Sequence, residues 1–465
     1  MKRAVKILVL VVASLLVASI GVAQSAPRYV LRADPSNQAD LCNAYGLVVV
    51  EQGGMPDVVI TTSPNSGDPG QLIAEVRSDP RVRGFELEHR ASVTEATANS
   101  AQVPSAGSLG SLLNNLALVN FWGNPAWNAY VNQPALTQID MPSAALPLGS
   151  GVVVAVIDTG VDPTHPALKG VLLPGYDFTR DQPGGSELAD VNQSTVAVLN
   201  QSTVAVLNQS TVAILGGYAT VELNQSTVAV LNQSTVAVLN GNALPAEFGH
   251  GTMVSGLIHL VAPGAQIMPL KAFSADGTGR IGDVIRAIYY AANNGANVIN
   301  MSFSEDEISP EMLLAINYAI RKGVICVASV GNNASKMAVY PASAGNVTGV
   351  GSVSPTGTLS TFSNYGPDSL SLVAPGEGLI TTYPGAQWAA GWGTSFSAAL
   401  VSGNMAIGVA RLNRIGNNPN DFADTDDAMA SIASVNPYNP VTGWGVLDVQ
   451  NMSRFNHNGF HFHTH

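Results

Sequence analysis

The chain has 465 residues and carries 20 Lys and Arg against 32 Asp and Glu, a net charge of -12, so no basic surface can offset phosphate repulsion and nucleic acid is excluded as a partner. An apolar fraction of 46% supplies a large core and excludes a disordered or fibrous protein, while only 11% charged residues and 46 glycines suit a sheet-rich fold with many tight turns. The two cysteines, Cys42 and Cys326, define no disulfide framework and are expected as buried free thiols.

The N-terminus opens Met1-Lys2-Arg3, runs through an apolar stretch from Ile7 to Ala23 and reaches small residues at Ser25 and Ala26, the pattern of a secretory signal over residues 1–25. An uncleaved anchor stays open as the alternative reading of so long a run. No later stretch is long and apolar enough to span a bilayer, so the rest is expected outside the cytoplasm, secreted or extracytoplasmic, with no stable membrane anchor after signal cleavage. Residues 27–90 then alternate in the order β-α-β-β-α-β, with strands near Tyr29, Leu47, Val58 and Val82 and helices near Asn37 and Gln71, the ferredoxin-like plan. Residues 91–125, rich in Ser, Ala, Gly and Asn, are expected as an exposed linker open to proteolysis.

From Gly151 short apolar runs such as VVVAVID, NVINMSF and GVICVASV alternate with helical stretches near Gly282 and Glu311, which predicts an α/β domain with a mainly parallel sheet covered on both faces, over residues 126–455. Asp158 and Asn332 each fall close behind an apolar run, where such sheets place their active sites. Between them lies an insertion, residues 185–243, in which the octet NQSTVAVL starts at Asn192, Asn200, Asn208, Asn224 and Asn232, with Ile214 as its single change. Eight residues advance a helix by roughly 800°, which builds no constant face, whereas in a strand every residue keeps its side; the octets therefore predict β-structure, turning at Asn-Gln.

Three motifs carry chemistry: VAVIDTGVD with Asp158, FGHGTMVSG with His250 at an expected helix start, and GTSFSAALVSG with Ser395 at the head of another helix. Ser, His and Asp make a nucleophile when a base takes the hydroxyl proton and an acid orients that base. A lone Asp-Thr-Gly also suggests an aspartic protease, but no second such element supplies the paired carboxylate. The order Asp, His, Ser, with DPTHPAL, KAFSADGTG, VINMS, ASVGNN, YPA, FSNYG, APG and GWGVLDV in sequence, is similar to the subtilisin-like serine peptidases over roughly Leu136 to Val449.

The resemblance implies a three-layer subtilisin-like fold and a secreted serine endopeptidase acting on polypeptide substrates through an acyl-enzyme, with Asp158, His250 and Ser395 as triad and Asn332 in the oxyanion hole. It implies substrate pairing with Thr278, Gly279 and Ser302 to Ser304, and a pocket walled by Ser302, Phe303, Ser304, Ser329, Val330 and Gly331, with no acidic residue to favour Lys or Arg. The unit over 27–90 resembles the propeptide that serves this family as folding template and intramolecular inhibitor, removed by autoprocessing. Met253, Ser304 and Ala399 replace residues usual in the family, and none of these removes a catalytic atom. No cofactor is required for the chemistry. Calcium is common in the family, but the cluster Asp421, Asp424, Asp426 and Asp427 lacks the EF-hand pattern, so no metal ligand is assigned. The tail, 456–465, carries His457, His461, His463 and His465, either a transition-metal site or an unstructured end. The competing function is a surface or adhesion protein with an inactive peptidase domain, against which the intact triad and Asn332 speak.

Overall fold

The computed structural model describes residues 26–64, 67–93, 117–142, 148–191, 212–215, 228–231, 247–305, 307–415, 433 and 438–454. The expected signal segment, most of the linker and of the octets, the Asp421 to Asp427 cluster and the His-rich tail lie outside these residues.

The N-terminal unit consists of β1 (Arg28–Ala33), α1 (Pro35–Tyr45), β2 (Val48–Gln52), β3 (Val58–Thr62), α2 (Pro69–Arg77) and β4 (Val82–Leu87). Its sheet is antiparallel in the order β2-β3-β1-β4. Both helices start with Asp-Pro: Asp34 and Asp68 accept the backbone N–H of Ser36 and Gly70, and proline follows where its missing N–H costs nothing. Alternation along β1 divides its side chains. Tyr29 and Leu31 join Val59, Val76 and Phe85 in a small core of the unit, whereas Val30 faces the main body with Ile60.

After β4 comes β5 (Arg90–Ser92), then a hairpin of β6 (Leu118–Phe121) and β7 (Asn124–Trp127). Both overlap the stretch 91–125 expected as an exposed linker. The hairpin is held because Phe121 and Ala126 are buried in the main core, so the packed body begins before residue 126.

The main sheet comprises β8 (Val153–Asp158), β9 (Tyr176–Asp177), β10 (Gln182–Pro183), β13 (Gln266–Lys271), β15 (Val298–Met301), β16 (Ile325–Ser329), β17 (Val347–Val353) and β18 (Leu372–Pro375). Its order is β10-β9-β13-β8-β15-β16-β17-β18, and every pair except β10-β9 is parallel. Residues of β8 point alternately to two cores. Val154 and Val156 meet α3 (His250–Val261) and α6 (Thr394–Ile415), while Ala155 and Ile157 meet α4 (Ile281–Asn293) and α5 (Pro310–Arg321). Helices thus cover both faces, each buried Val or Ile contributing about 1.5–3 kcal/mol, and the near-continuous apolar strands are explained by burial on both sides.

Two segments of the insertion are described, β11 (Val212–Leu215) and β12 (Val228–Leu231). They pair parallel, Val212 opposite Val228 and Leu215 opposite Leu231, and β12 lies antiparallel to β20 (Gln387–Gly391), itself paired with β19 (Leu379–Tyr383). Strands turning at Asn-Gln would pair antiparallel. The parallel register instead advances by two octets, which sets identical residues side by side.

Candidate active site

Asp158 ends β8 and is fully buried. One of its oxygens, Oδ1, accepts the N–H of Thr159 at 2.7 Å and lies 2.8 Å from Nδ1 of His250. His250 is the first residue of α3, and Gly249 before it holds φ +97° where a Cβ would strike the ring of Tyr383. That glycine lets the histidine emerge from a helix start tight against the domain. Ser395 stands in the first turn of α6, and the ring of the next residue, Phe396, lies 5.7 Å from the imidazole of His250. The three motifs therefore converge on one end of the sheet.

The start of α6 is pinned from two sides. Ser395 Oγ donates to the carbonyl of Ser302 at 3.3 Å, and Ser302 Oγ returns a hydrogen bond to the Ser395 carbonyl at 3.0 Å. Asn300, which donates to Ser302 Oγ and accepts from Ser402 of α6, extends this link into the core. On the other side, Asn332 Oδ1 accepts the N–H of Thr394 at 2.8 Å, which fixes its carboxamide beside the nucleophile candidate. Asn364, within the FSNYG motif, holds the turn that carries Asn332: its Nδ2 donates to Val330 O at 2.8 Å and its Oδ1 accepts from Asn333 N and Ser335 N at 3.0 Å.

The expected substrate slot is filled by the chain itself. β5 lies antiparallel on β14 (Thr278–Arg280), with Ser92 opposite Thr278, Ala91 opposite Gly279 and Arg90 opposite Arg280. Ser304 N donates to Ser92 O at 3.2 Å on the other flank, and Val93 N donates to Gly277 O at 2.8 Å. A side chain at Gly279 would meet the Ala272 carbonyl at 2.7 Å, so glycine there lets β14 hug the domain. Ala91 and Val93 are buried in the same apolar cluster as Phe273 and Phe303, whose rings lie 5.0 Å apart. Of the expected pocket wall, Ser302 Oγ donates to the Ser395 carbonyl and Ser329 Oγ donates to Phe303 O.

Sequence reasoning passed over Glu187. It is fully buried and accepts from Gly249 N at 2.8 Å, from Thr159 Oγ1 at 3.2 Å and from Thr252 Oγ1. Burial pushes its carboxyl up to about 8, against the donors on it. Nearby Lys271 is also buried, its Nζ donating to Thr159 O, Phe273 O and Asp190 Oδ2. No local pattern marks Glu187, because its partners come from segments far apart in the chain. Both cysteines are free and buried, and Met253 packs in the core. Among the described residues, no group of three or more His, Cys, Asp or Glu could hold a metal ion, and no helix is long and apolar enough to cross a membrane.

A mainly parallel sheet between two helical layers, with the candidate residues Asp158, His250 and Ser395 toward one end, is a subtilisin-like α/β fold. Residues 149–425 match the Subtilase family, and the chain belongs to that family as a serine endopeptidase. It is 32% identical over 321 residues to the thermophilic serine proteinase of Bacillus sp. (strain AK1), covering 66% of this chain and 68% of that protein. It is 33% identical over 215 residues to subtilisin BL of Lederbergia lenta, covering 44% of this chain and 78% of that one. The structure of fervidolysin from Fervidobacterium pennivorans, a keratinolytic enzyme related to subtilisin, matches 93% of the chain with a TM-score of 0.64 at 20% identity. This chain covers 61% of fervidolysin, and the likeness is one of fold.

Proposed function

We propose that the protein is a secreted serine endopeptidase made as an autoprocessed precursor, with Asp158, His250 and Ser395 as triad and residues 27–90 as an internal inhibitor preceded by a signal over 1–25. The observation that carries this reading is the seating of β5 between β14 and Ser304: a polypeptide strand already lies where an extended substrate would pair. Ser395 Oγ attacks the peptide carbonyl carbon while His250 takes its proton, and Asp158, 2.8 Å from Nδ1, orients the ring and stabilises the imidazolium. The oxyanion receives the Asn332 carboxamide and the N–H of Ser395. His250 then protonates the leaving amine, and water hydrolyses the acyl-enzyme by the same route in reverse. Polypeptides are the substrates.

The N-terminal unit is tied to the domain as an inhibitor requires. Arg32 pairs with Glu311 at 2.7 Å and donates to Tyr289 OH at 2.9 Å, Arg286 pairs with Glu51 at 3.0 Å, and Glu86 accepts from Ser309 at the start of α5. The test is a serine-directed fluorophosphonate probe on the purified protein and on Ser395→Ala. Labelling of the parent with neither labelling nor processing of the variant supports the reading. A variant that matures normally in a protease-free host overturns it.

A further inference from the structure

We propose that Glu187 is a positioning residue of this active site, its buried carboxyl group clamping the loop behind Asp158 to the helix start that presents His250; the inference rests on the triad reading above. Two hydrogen-bond chains end on it, and they run in opposite directions between the same two segments. Gly251 N, just after His250, donates to Thr159 Oγ1 at 3.0 Å, and Thr159, just after Asp158, donates its own hydroxyl hydrogen bond to Glu187. Conversely, Asp162 N, in the loop after Asp158, donates to Thr252 Oγ1 at 2.8 Å, and the Thr252 hydroxyl of α3 donates a hydrogen bond to Glu187. Gly249 N completes the set at 2.8 Å.

Each threonine oxygen already accepts a backbone N–H, so its hydroxyl proton needs an acceptor, and in this pocket the acceptor is Glu187. Removing the carboxyl group leaves three buried donors, Gly249 N and the hydroxyls of Thr159 and Thr252, unmatched on two segments that must keep Asp158 and His250 in register. The carboxyl does not touch the reacting atoms. It acts through the Asp158–His250 contact, whose 2.8 Å spacing depends on the loop and the helix start staying together.

The placement of Glu187 in the chain matters as well. It lies in a short 3-10 turn, Glu187–Asp190, directly before the first octet, and Asp190 at the end of that turn is held by Lys271 Nζ at 2.6 Å and Ala275 N at 2.7 Å. The stem of the insertion is therefore part of the active-site support, although the octets themselves need not be.

The experiment measures peptide hydrolysis and the rate of fluorophosphonate labelling for processed Glu187→Ala and Glu187→Gln, with Ser395→Ala alongside. Expected for Glu187→Ala is a fall of about 10²-fold in kcat, the scale of an ångström-sized misplacement at a reacting centre, with KM little changed. Glu187→Gln keeps the volume and one acceptor, and should recover part of the loss. The acid limb of the kcat/KM profile should move in both, because the geometry that stabilises the His250 imidazolium has changed. A role in general stability alone would lower the melting temperature and leave kcat per folded molecule and the pH profile in place; that result overturns the inference. Should Glu187→Ala fail to accumulate, Glu187→Gln decides: parent-like kcat with an unmoved profile sinks it. Activity persisting in Ser395→Ala would instead topple the triad reading, so the two failures are distinguishable.

Discussion

Ser304 and Ser92 are joined by a backbone hydrogen bond of 3.2 Å, so β5, the strand that follows the N-terminal unit, is flanked on one side by β14 and on the other by the segment following β15. Ala91, between them, is 1% exposed. An Ala91→Asp change would bury an unpaired charge at a cost of several kcal/mol. We expect the N-terminal unit to hold the cleft poorly in this variant, so that hydrolysis of a small peptide by freshly processed protein begins without a lag. A lag unchanged from the parent would mean that β5 does not block substrate.

Asn332→Ala should lower kcat by about 10² to 10³ with KM little changed, the magnitude established for loss of the corresponding donor in subtilisin, itself a member of this family. Asn364→Ala should be the milder of the two for chemistry and the worse for folding. Its side chain satisfies Val330 O, Asn333 N and Ser335 N around the turn, and buried groups left unmatched cost about 1–3 kcal/mol each. Thermal melts and steady-state kinetics on both variants separate the effects.

Docking of the N-terminal unit should weaken as pH rises. Asp283 of α4 is pushed up to about 7, first by burial and then by Glu51 and Glu88 of the N-terminal unit, against Arg286 and Arg28. Glu88, Glu305 and Glu311 are raised mainly by burial despite their cationic partners, and His89 is raised by its hydrogen bond to Glu305. A group whose pKa is raised on docking contributes fully below its free value and loses that contribution as pH passes through the raised one. For Asp283 the share of the rise that Glu51 and Glu88 cause belongs to the docked state, and the window closes as pH passes through about 7. The share of processed N-terminal segment co-eluting with the catalytic body should fall across this window, and Asp283→Asn should flatten the fall. Tighter association at the alkaline end would contradict the sign.

The parallel sheet was legible because burial on both faces forces continuous apolar runs, and Asp158, His250, Ser395 and Asn332 were legible because each sits in a motif of several consecutive residues. Glu187 was not: its three donors are spread over Thr159, Gly249 and Thr252, and only the fold brings them to one carboxylate. Of the octets only β11 and β12 are described, and there they are strands; the period of eight is blind to strand direction, and β12 pairs with β20, far along the chain, as well as with β11. The stretch from Ala91 to Val93 reads as linker because its order comes from β14 and Ser304 rather than from its own composition.

The insertion can be cut in two places, and the outcomes should differ. Replacing residues 192–239 with a short Gly-Ser linker removes the octets but keeps Glu187 and Asp190, the two carboxylates that tie the stem to Gly249, Thr252, Lys271 and Ala275. Loop closure changes by only about 0.6 kcal/mol per doubling of length, so the shortened chain should fold and hydrolyse peptides with parent-like kcat. The visible loss should be modest stability, because β20 loses β12 as its neighbour and exposes the backbone groups of Ala389 to Gly391 as a sheet edge. Cutting residues 185–243 instead takes the carboxylates away with the repeat. That variant should lose activity severely even where its circular dichroism remains native, and adding Glu187 back by shifting the cut to residue 192 should restore it. Equal activity of the two deletions would show that the stem carries no function, and equal inactivity would show that the octets themselves support Asp158 and His250.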